Sequence, residues 1–160
     1  MKKQTGFTIV ELLIVIVVIG VLAAITIVAY NGIQNRAQQT ALRSDFLQAV
    51  KASELFYNSN PSASVYPNST TTITQAGVKL TKSSYNAAVW CFSPDRSMWA
   101  LVGDSKDGNT YFVSNSQRTM TEYTAYKVQG NSGGVICPAV NANMGSWVWL
   151  TQCPTCTWNI

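Results

Sequence analysis

The sequence predicts an α+β fold in which one long N-terminal helix packs under a small antiparallel sheet. Three observations carry that prediction. An apolar run from Phe7 to about Tyr30 passes directly into a helical period that lasts to about Tyr57. Three short runs rich in aromatic and branched residues then follow one another between Ala87 and Ser114. The second half of the helix is amphipathic and cannot stand alone, so the aromatic face of the sheet is its natural cover.

The opening stretch reads MKKQTGFTIVELLIVIVVIGVLAAITIVAY. Residues 7–29 are long enough to span a membrane, which takes roughly 20 apolar residues. Lys2 and Lys3 in front of them place the N-terminus in the cytoplasm and the rest of the chain outside. Glu11 is the one charge in the run. A charge at the centre of a spanning helix costs about 2.5–3.5 kcal/mol, and less near its end. It is either a polar residue tolerated at the membrane edge or a carboxylate with a partner. Cleavage between Gly6 and Phe7 would create an ammonium on Phe7 four residues before Glu11, one turn away on the same face. Glu11 could then neutralise the amine of its own chain or of a neighbour.

These residues resemble a family. Lys-Lys-Gln-Thr-Gly6 followed by Phe7-Thr-Ile-Val-Glu11-Leu-Leu-Ile-Val is similar to the leader and first turns of type IV prepilins and type II secretion pseudopilins. The resemblance implies a pilin-like fold and a leader, residues 1–6, removed by prepilin peptidase at Gly6–Phe7. It implies that Phe7 is the N-methylated first residue of the mature chain. It further implies that Glu11 pairs with a neighbour's N-terminus during filament assembly. The close match covers about the first 30 residues. Many pilins carry a proline within the spanning helix, whereas here the first proline is Pro61, and Gly20 is the only obvious weak point in the run.

Beyond Tyr30, Ile33, Ala37, Ala41/Leu42, Phe46, Ala49/Val50 and Phe56 recur at three- to four-residue spacing, with polar residues between them. Residues 30–57 thus form the amphipathic half of the same helix, with Gly32 a candidate bend. Pro61 disfavours helical geometry at Asn60 and ends it. Residues 58–160 form the outer head. Its first part, to about Ser84, is rich in Ser, Thr and Asn and reads as a connecting loop. Asn68-Ser69-Thr70 is formally a glycosylation acceptor but is read as ordinary polar loop. Strands are expected at 87–92, 98–102 and 110–114, with turns at 93–96 and 104–109. The tail from Thr119 is less regular; 122–128 and 147–150 are candidate extended pieces.

The four cysteines, Cys91, Cys137, Cys153 and Cys156, all lie beyond the span. On the outer side of a membrane an even number reads as two disulfides, with three connectivities open. Cys153-Pro-Thr-Cys156 also keeps open a four-thiolate zinc site or redox chemistry, although the βαβ context of the latter is missing. Asp104, Asp107 and Asn109 could approach a calcium ion; a solvated hairpin turn is the preferred reading.

Catalytic constellations are otherwise missing. The chain has no histidine, which removes the common nucleophile and metal arrangements, and it has no glycine-rich phosphate loop. A net charge of +4, two units of it in the leader lysines, and the lack of a basic patch argue against specific nucleic-acid binding. Charged residues are only 11%, which suits a cell-surface polymer better than a cytosolic enzyme.

The resulting reading is a non-enzymatic structural subunit of a type IV pilus, without cofactor. Its partners are copies of itself or a mix of major and minor pilins, prepilin peptidase and the assembly platform. It sits in the inner membrane with its C-terminus outside, then on the cell surface, serving adhesion, motility or DNA uptake. The rival inside the family is a pseudopilin of a secretion or competence system. The rival from another class is an uncleaved membrane-anchored domain with a four-cysteine metal site.

Overall fold

The computed structural model describes residues 6–59 and 64–151. The chain divides into two compact units, Met1–Arg36 and Ala37–Ile160. Helix α1, Ile9–Ser59, begins in the first and ends in the second. It runs unbroken through Gly20 and Gly32, so neither glycine ends it. It starts two residues later than expected because Thr8 acts as its N-cap, and it ends at Ser59. The proposed stop at Asn60 and Pro61 lies outside the described residues.

In the first unit every described side chain from Phe7 to Arg36 is exposed. The apolar residues cover all sides of the helix, the pattern of a segment that needs an apolar surrounding rather than one packed face. By length and composition it is long and apolar enough to cross a membrane.

In the second unit α1 becomes one-sided. Leu42, Phe46, Ala49, Val50 and Ala52 are buried at the three- and four-residue spacing of a single face. They pack on the sheet. Its strands are β1 (Tyr85–Phe92), β2 (Trp99–Ser105), β3 (Thr110–Ser114), β4 (Thr121–Glu122) and β5 (Ser146–Thr151). All neighbours are antiparallel, in the order β4-β3-β2-β1-β5. Tyr85, Ala88, Trp90, Trp99, Leu101, Val113 and Leu150 face the helix. Trp90 and Trp99 stack at 4.6 Å between centroids, and the Trp90 indole donates to the Pro67 carbonyl at 2.9 Å. Burying a side chain such as Phe46 contributes about 1.5–3 kcal/mol. Gly103 leaves room for this face: a Cβ there would lie 2.7 Å from Tyr85 Cε1.

The expected cover of helix on sheet is therefore present, but the head has a third layer. Ala87, Val89, Cys91, Ala100 and Val102 point to the opposite face and pack with Val128, Ile136, Cys137 and Met144. Much of this cover comes from α3, Gly133–Val140. The tail is expected to be less regular, and Gly133, Gly134 and Pro138 give this stretch poor helix propensity. Gly133 is required by packing: a Cβ on it would sit 2.2 Å from Cγ of Trp147.

Three other expectations change. The polar loop holds a short helix, α2 (Thr70–Gln75), whose N-cap Ser69 forms a capping box with Thr72, and a 3₁₀ turn at Lys82–Ser84. The fourth strand is only Thr121–Glu122, because Tyr123 onward leaves the sheet edge to lie over its outer face. Asp104 and Ser105 belong to β2 rather than to the turn.

Candidate functional site

The N-terminal end of α1 holds the residues expected to act. Gly6, Phe7 and Thr8 precede the helix in non-helical backbone, and Phe7 is 79% exposed. The Thr8 amide donates to Glu11 Oε2 at 2.8 Å, and the Thr8 hydroxyl donates to the same oxygen at 2.7 Å. The Glu11 amide donates back to Thr8 Oγ1 at 3.2 Å. This is a reciprocal capping box, the Ser/Thr-x-x-Glu pattern that satisfies orphan donors at a helix start. Thr8-Ile-Val-Glu11 spells the pattern in the sequence, whereas the partner expected for Glu11 is the Phe7 amine. With Gly6 attached, the Phe7 nitrogen is a neutral amide, so the carboxylate takes Thr8 instead. A carboxylate in the first turn is also favoured by the helix dipole.

In the head, Cys91 of β1 and Cys137 of α3 form a disulfide with Cα atoms 5.4 Å apart, and both are fully buried. The bond fastens α3 to the outer face of the sheet. It also corrects the four-cysteine zinc alternative, since two of the four thiolates are bonded to each other. Cys153 and Cys156 lie outside the described residues.

Asp104 and Asp107 serve separate clamps. Asp104 is 4% exposed. Its Oδ1 accepts the Thr110 hydroxyl at 2.6 Å and the Val128 amide at 2.9 Å, and its Oδ2 accepts the Gln129 amide at 2.7 Å. It pins the incoming outer layer to β2. Asp107 takes the Asn109 amide at 2.9 Å, the Gln39 side-chain amide at 3.1 Å and the Tyr111 hydroxyl at 3.3 Å. Burial pulls its carboxyl up, but bonds from Asn109, Gln39, Ser105 and Tyr111 together hold it below the usual range. Among the described residues, no three acidic or cysteine groups converge on one point.

Two more carboxylates tie α1 to the head. Asp45 sits on the buried face and accepts the Thr81 amide at 2.6 Å and hydroxyl at 3.0 Å. Burial pushes its carboxyl up; Thr81 and the Tyr85 hydroxyl oppose that without cancelling it. Glu54 takes Arg118 Nη2 at 3.2 Å and the Tyr66 hydroxyl at 3.2 Å. Tyr66 is pushed up to about 12, by burial first and by Glu54 second. The sequence placed Asp45 and Glu54 on the helix but offered no signal for their partners, which lie tens of residues away. A groove of about 380 Å³ beside Trp149 is lined by Ala87 and residues 128–132, none of them titratable.

The architecture defines a class: a membrane-competent helix with a prepilin-type N-terminus, carrying a disulfide-bonded α+β head. Residues 1–27 match the family model described as a prokaryotic N-terminal methylation motif. The chain is 27% identical to the type IV wide pilus major component PilA4 of Thermus thermophilus, over 71% of this chain and 83% of that one. It is 24% identical to the type II secretion system core protein G of Vibrio cholerae, over 92% and 94%. It is 29% identical to a fimbrial protein of Pseudomonas aeruginosa, over 97% and 91%. No solved structure matches the chain. The N-terminal motif and these relatives support the pilin and pseudopilin reading of the chain.

Proposed function

We propose that the chain is a structural subunit of a type IV pilus. Prepilin peptidase cleaves Gly6–Phe7, and Phe7 becomes the N-methylated first residue. Before assembly the helix lies in the cytoplasmic membrane, with Lys2 and Lys3 inside and the head outside. The subunit is then extracted by the assembly platform into a helical filament of self or mixed pilins. In the filament the 7–29 helices form the core, and Glu11 faces the Phe7 amine of a neighbour.

The observation that supports this most directly is the start of α1. It is apolar on all sides and exposed throughout, with one carboxylate in its first turn. Lipid satisfies such a surface in the unassembled subunit, and a bundle of like helices satisfies it in a filament. The Cys91–Cys137 bond fits a head on the oxidising side of the membrane.

Intact mass with N-terminal fragmentation, on protein from native membranes and sheared surface material, tests the processing. A chain beginning at N-methylated Phe7 is expected; a chain beginning at Met1 refutes the reading. Glu11→Ala tests the assembly. It is expected to leave membrane insertion intact and to abolish or sharply reduce filaments, and normal pili in that variant refute the pairing.

A pseudopilin is the second reading, favoured by the similarity to the Vibrio core protein G along 92% of this chain. It predicts the same processing but short assemblies that support secretion, without long surface fibres.

A further inference from the structure

Four aromatic side chains of the helix-facing core touch in sequence. Trp90 of β1 and Trp99 of β2 stack with centroids 4.6 Å apart and planes 4° from parallel. Trp99 meets Tyr66 at 6.3 Å, and Tyr66 stacks on Tyr57, near the end of α1, at 4.7 Å. All three separations lie in the range of direct ring contact, about 4.5–7 Å. The row runs from two tryptophans without exposed surface to a half-buried tyrosine.

The hydrogen-bond partner of each ring divides the row. The Trp90 indole N–H donates to a neutral group, the Pro67 carbonyl. The Trp99 indole N–H is buried with no partner among the described residues, a condition rare enough in folded proteins to ask for a role. Neither indole has a base to receive its proton. Tyr66 does: its hydroxyl donates to Glu54 Oε1 at 3.2 Å. The Glu54 side chain is 25% exposed, so its carboxylate also reaches water. Burial first and Glu54 second push the Tyr66 phenol up to about 12, so it carries its proton at neutral pH.

We propose that this row carries one-electron oxidation out of the core and ends it at Tyr66, with Glu54 as the proton acceptor. A small oxidising radical takes one electron from the stacked tryptophans and is itself reduced. Losing an electron without a proton leaves a cation on an indole, and a charge held away from water is costly. Tyr66 supplies the missing electron through Trp99 and passes its phenolic proton to Glu54. The products are two neutral groups, a tyrosyl radical and a carboxylic acid, and both tryptophans are restored. Arg118, released from Glu54, is 61% exposed, so no buried charge is left behind. The relay belongs to the head alone and does not depend on filament formation.

The test uses the full chain in detergent. Laser photoionisation, with the ejected electrons scavenged, creates tryptophan radicals whether or not the rings are buried. Transient absorption is expected to show these radicals converting to tyrosyl at a rate independent of protein concentration. With a spin trap present, peptide mapping is expected to place the adduct on Tyr66 and little oxidation on Trp90 or Trp99. Tyr66→Phe keeps the ring and removes the hydroxyl; Glu54→Gln keeps Tyr66 and removes the base. Both should lower the tyrosyl yield and raise oxidation at Trp90 and Trp99 several-fold, and Glu54→Gln should also lose the adduct on Tyr66. Near-UV circular dichroism checks that each variant is folded, and Glu54→Gln carries the test if Tyr66→Phe is not. Wild-type tyrosyl yield and tryptophan oxidation in a folded variant overturn the inference. So does an adduct on other tyrosines alone, or a conversion rate that rises with protein concentration.

Discussion

Replacing Asp104 with alanine should loosen the whole outer layer of the head. The carboxylate accepts the Val128 and Gln129 amides and the Thr110 hydroxyl at 2.6–2.9 Å, and Val128 is fully buried. In Asp104→Ala the Thr110 hydroxyl can rotate to another acceptor, but the Val128 amide cannot. Leaving a buried donor unsatisfied costs about 1–3 kcal/mol; that cost falls on the Val128 amide, because Gln129 is exposed and its amide can turn to water. Against a domain stability of about 5–15 kcal/mol that is a large fraction. Asp104→Asn should fall between wild type and Asp104→Ala. Its one carbonyl oxygen can keep Thr110 and Val128, while its amide then faces the Gln129 N–H, donor against donor. Urea denaturation of the full chain in detergent, followed by tryptophan fluorescence, measures the order. Hydrogen exchange at 128–129 locates the loss. An Asp104→Ala protein within about 1 kcal/mol of wild type would refute the clamp, and so would an asparagine variant less stable than the alanine one.

Other perturbations follow from the same contacts. Gly133→Ala places a methyl where Trp147 stands, 2.2 Å from Cγ; overpacking of this kind costs about 1–3 kcal/mol, and thermal melting should drop accordingly, with Trp147 fluorescence shifted red. Replacing Cys91 and Cys137 together by alanine opens a link across 46 residues, for which loop-closure entropy gives about 4 kcal/mol; urea midpoints check it. The pH profile has two opposed parts. Asp45 is raised above 3.8, so its contribution is full below that value and is lost as pH rises through its folded pKa. Asp107 is lowered from 3.8, so its contribution is full above that value and is lost as pH falls through its folded pKa. Asp45→Asn should therefore remove a decline above pH 3.8, and Asp107→Asn should flatten the acid limb below it, both read from melting temperature against pH.

What the sequence made legible was whatever recurs at short range. The stripe Leu42, Phe46, Ala49, Val50 announces a one-sided helix, and runs such as Trp99–Val102 announce strands. The third layer was less visible, yet a sign of it was there. Ala87–Phe92 reads almost continuously apolar instead of alternating, and a strand buried on both faces needs cover on both. Helix α3 was hidden because its glycines and proline have poor helix propensity; Trp147, folded over Gly133, is what selects glycine there. Asp104 was misplaced because Asp, Ser and Gly crowd the segment 104–109, and turn composition outweighed the strand that precedes it. Its three donors come from residues 6, 24 and 25 positions away, and no local pattern announces them. The Cys91–Cys137 pair was one of several arrangements that counting allowed, and only the packing of α3 on β1 decides it.

At the start of α1, the capping box changes what the proposed assembly contact has to achieve. Glu11 does not wait unpaired in the unassembled chain; two donors from Thr8 already hold one of its oxygens at 2.7–2.8 Å. Hydrogen bonds to a charged group are stronger than those between neutral groups, so the Thr8 donors offset part of the cost of carrying a charge into an apolar helix. A neighbour's ammonium therefore competes with Thr8 for the carboxylate instead of rescuing an isolated charge, and the net gain is a difference between two satisfied states. A contact of that kind is better suited to selecting one stagger between helices than to supplying cohesion. Cohesion in the proposed filament must come from the apolar sides of the 7–29 helix. Lipid already solvates them in the membrane, and outside it they have only other helices to bury against.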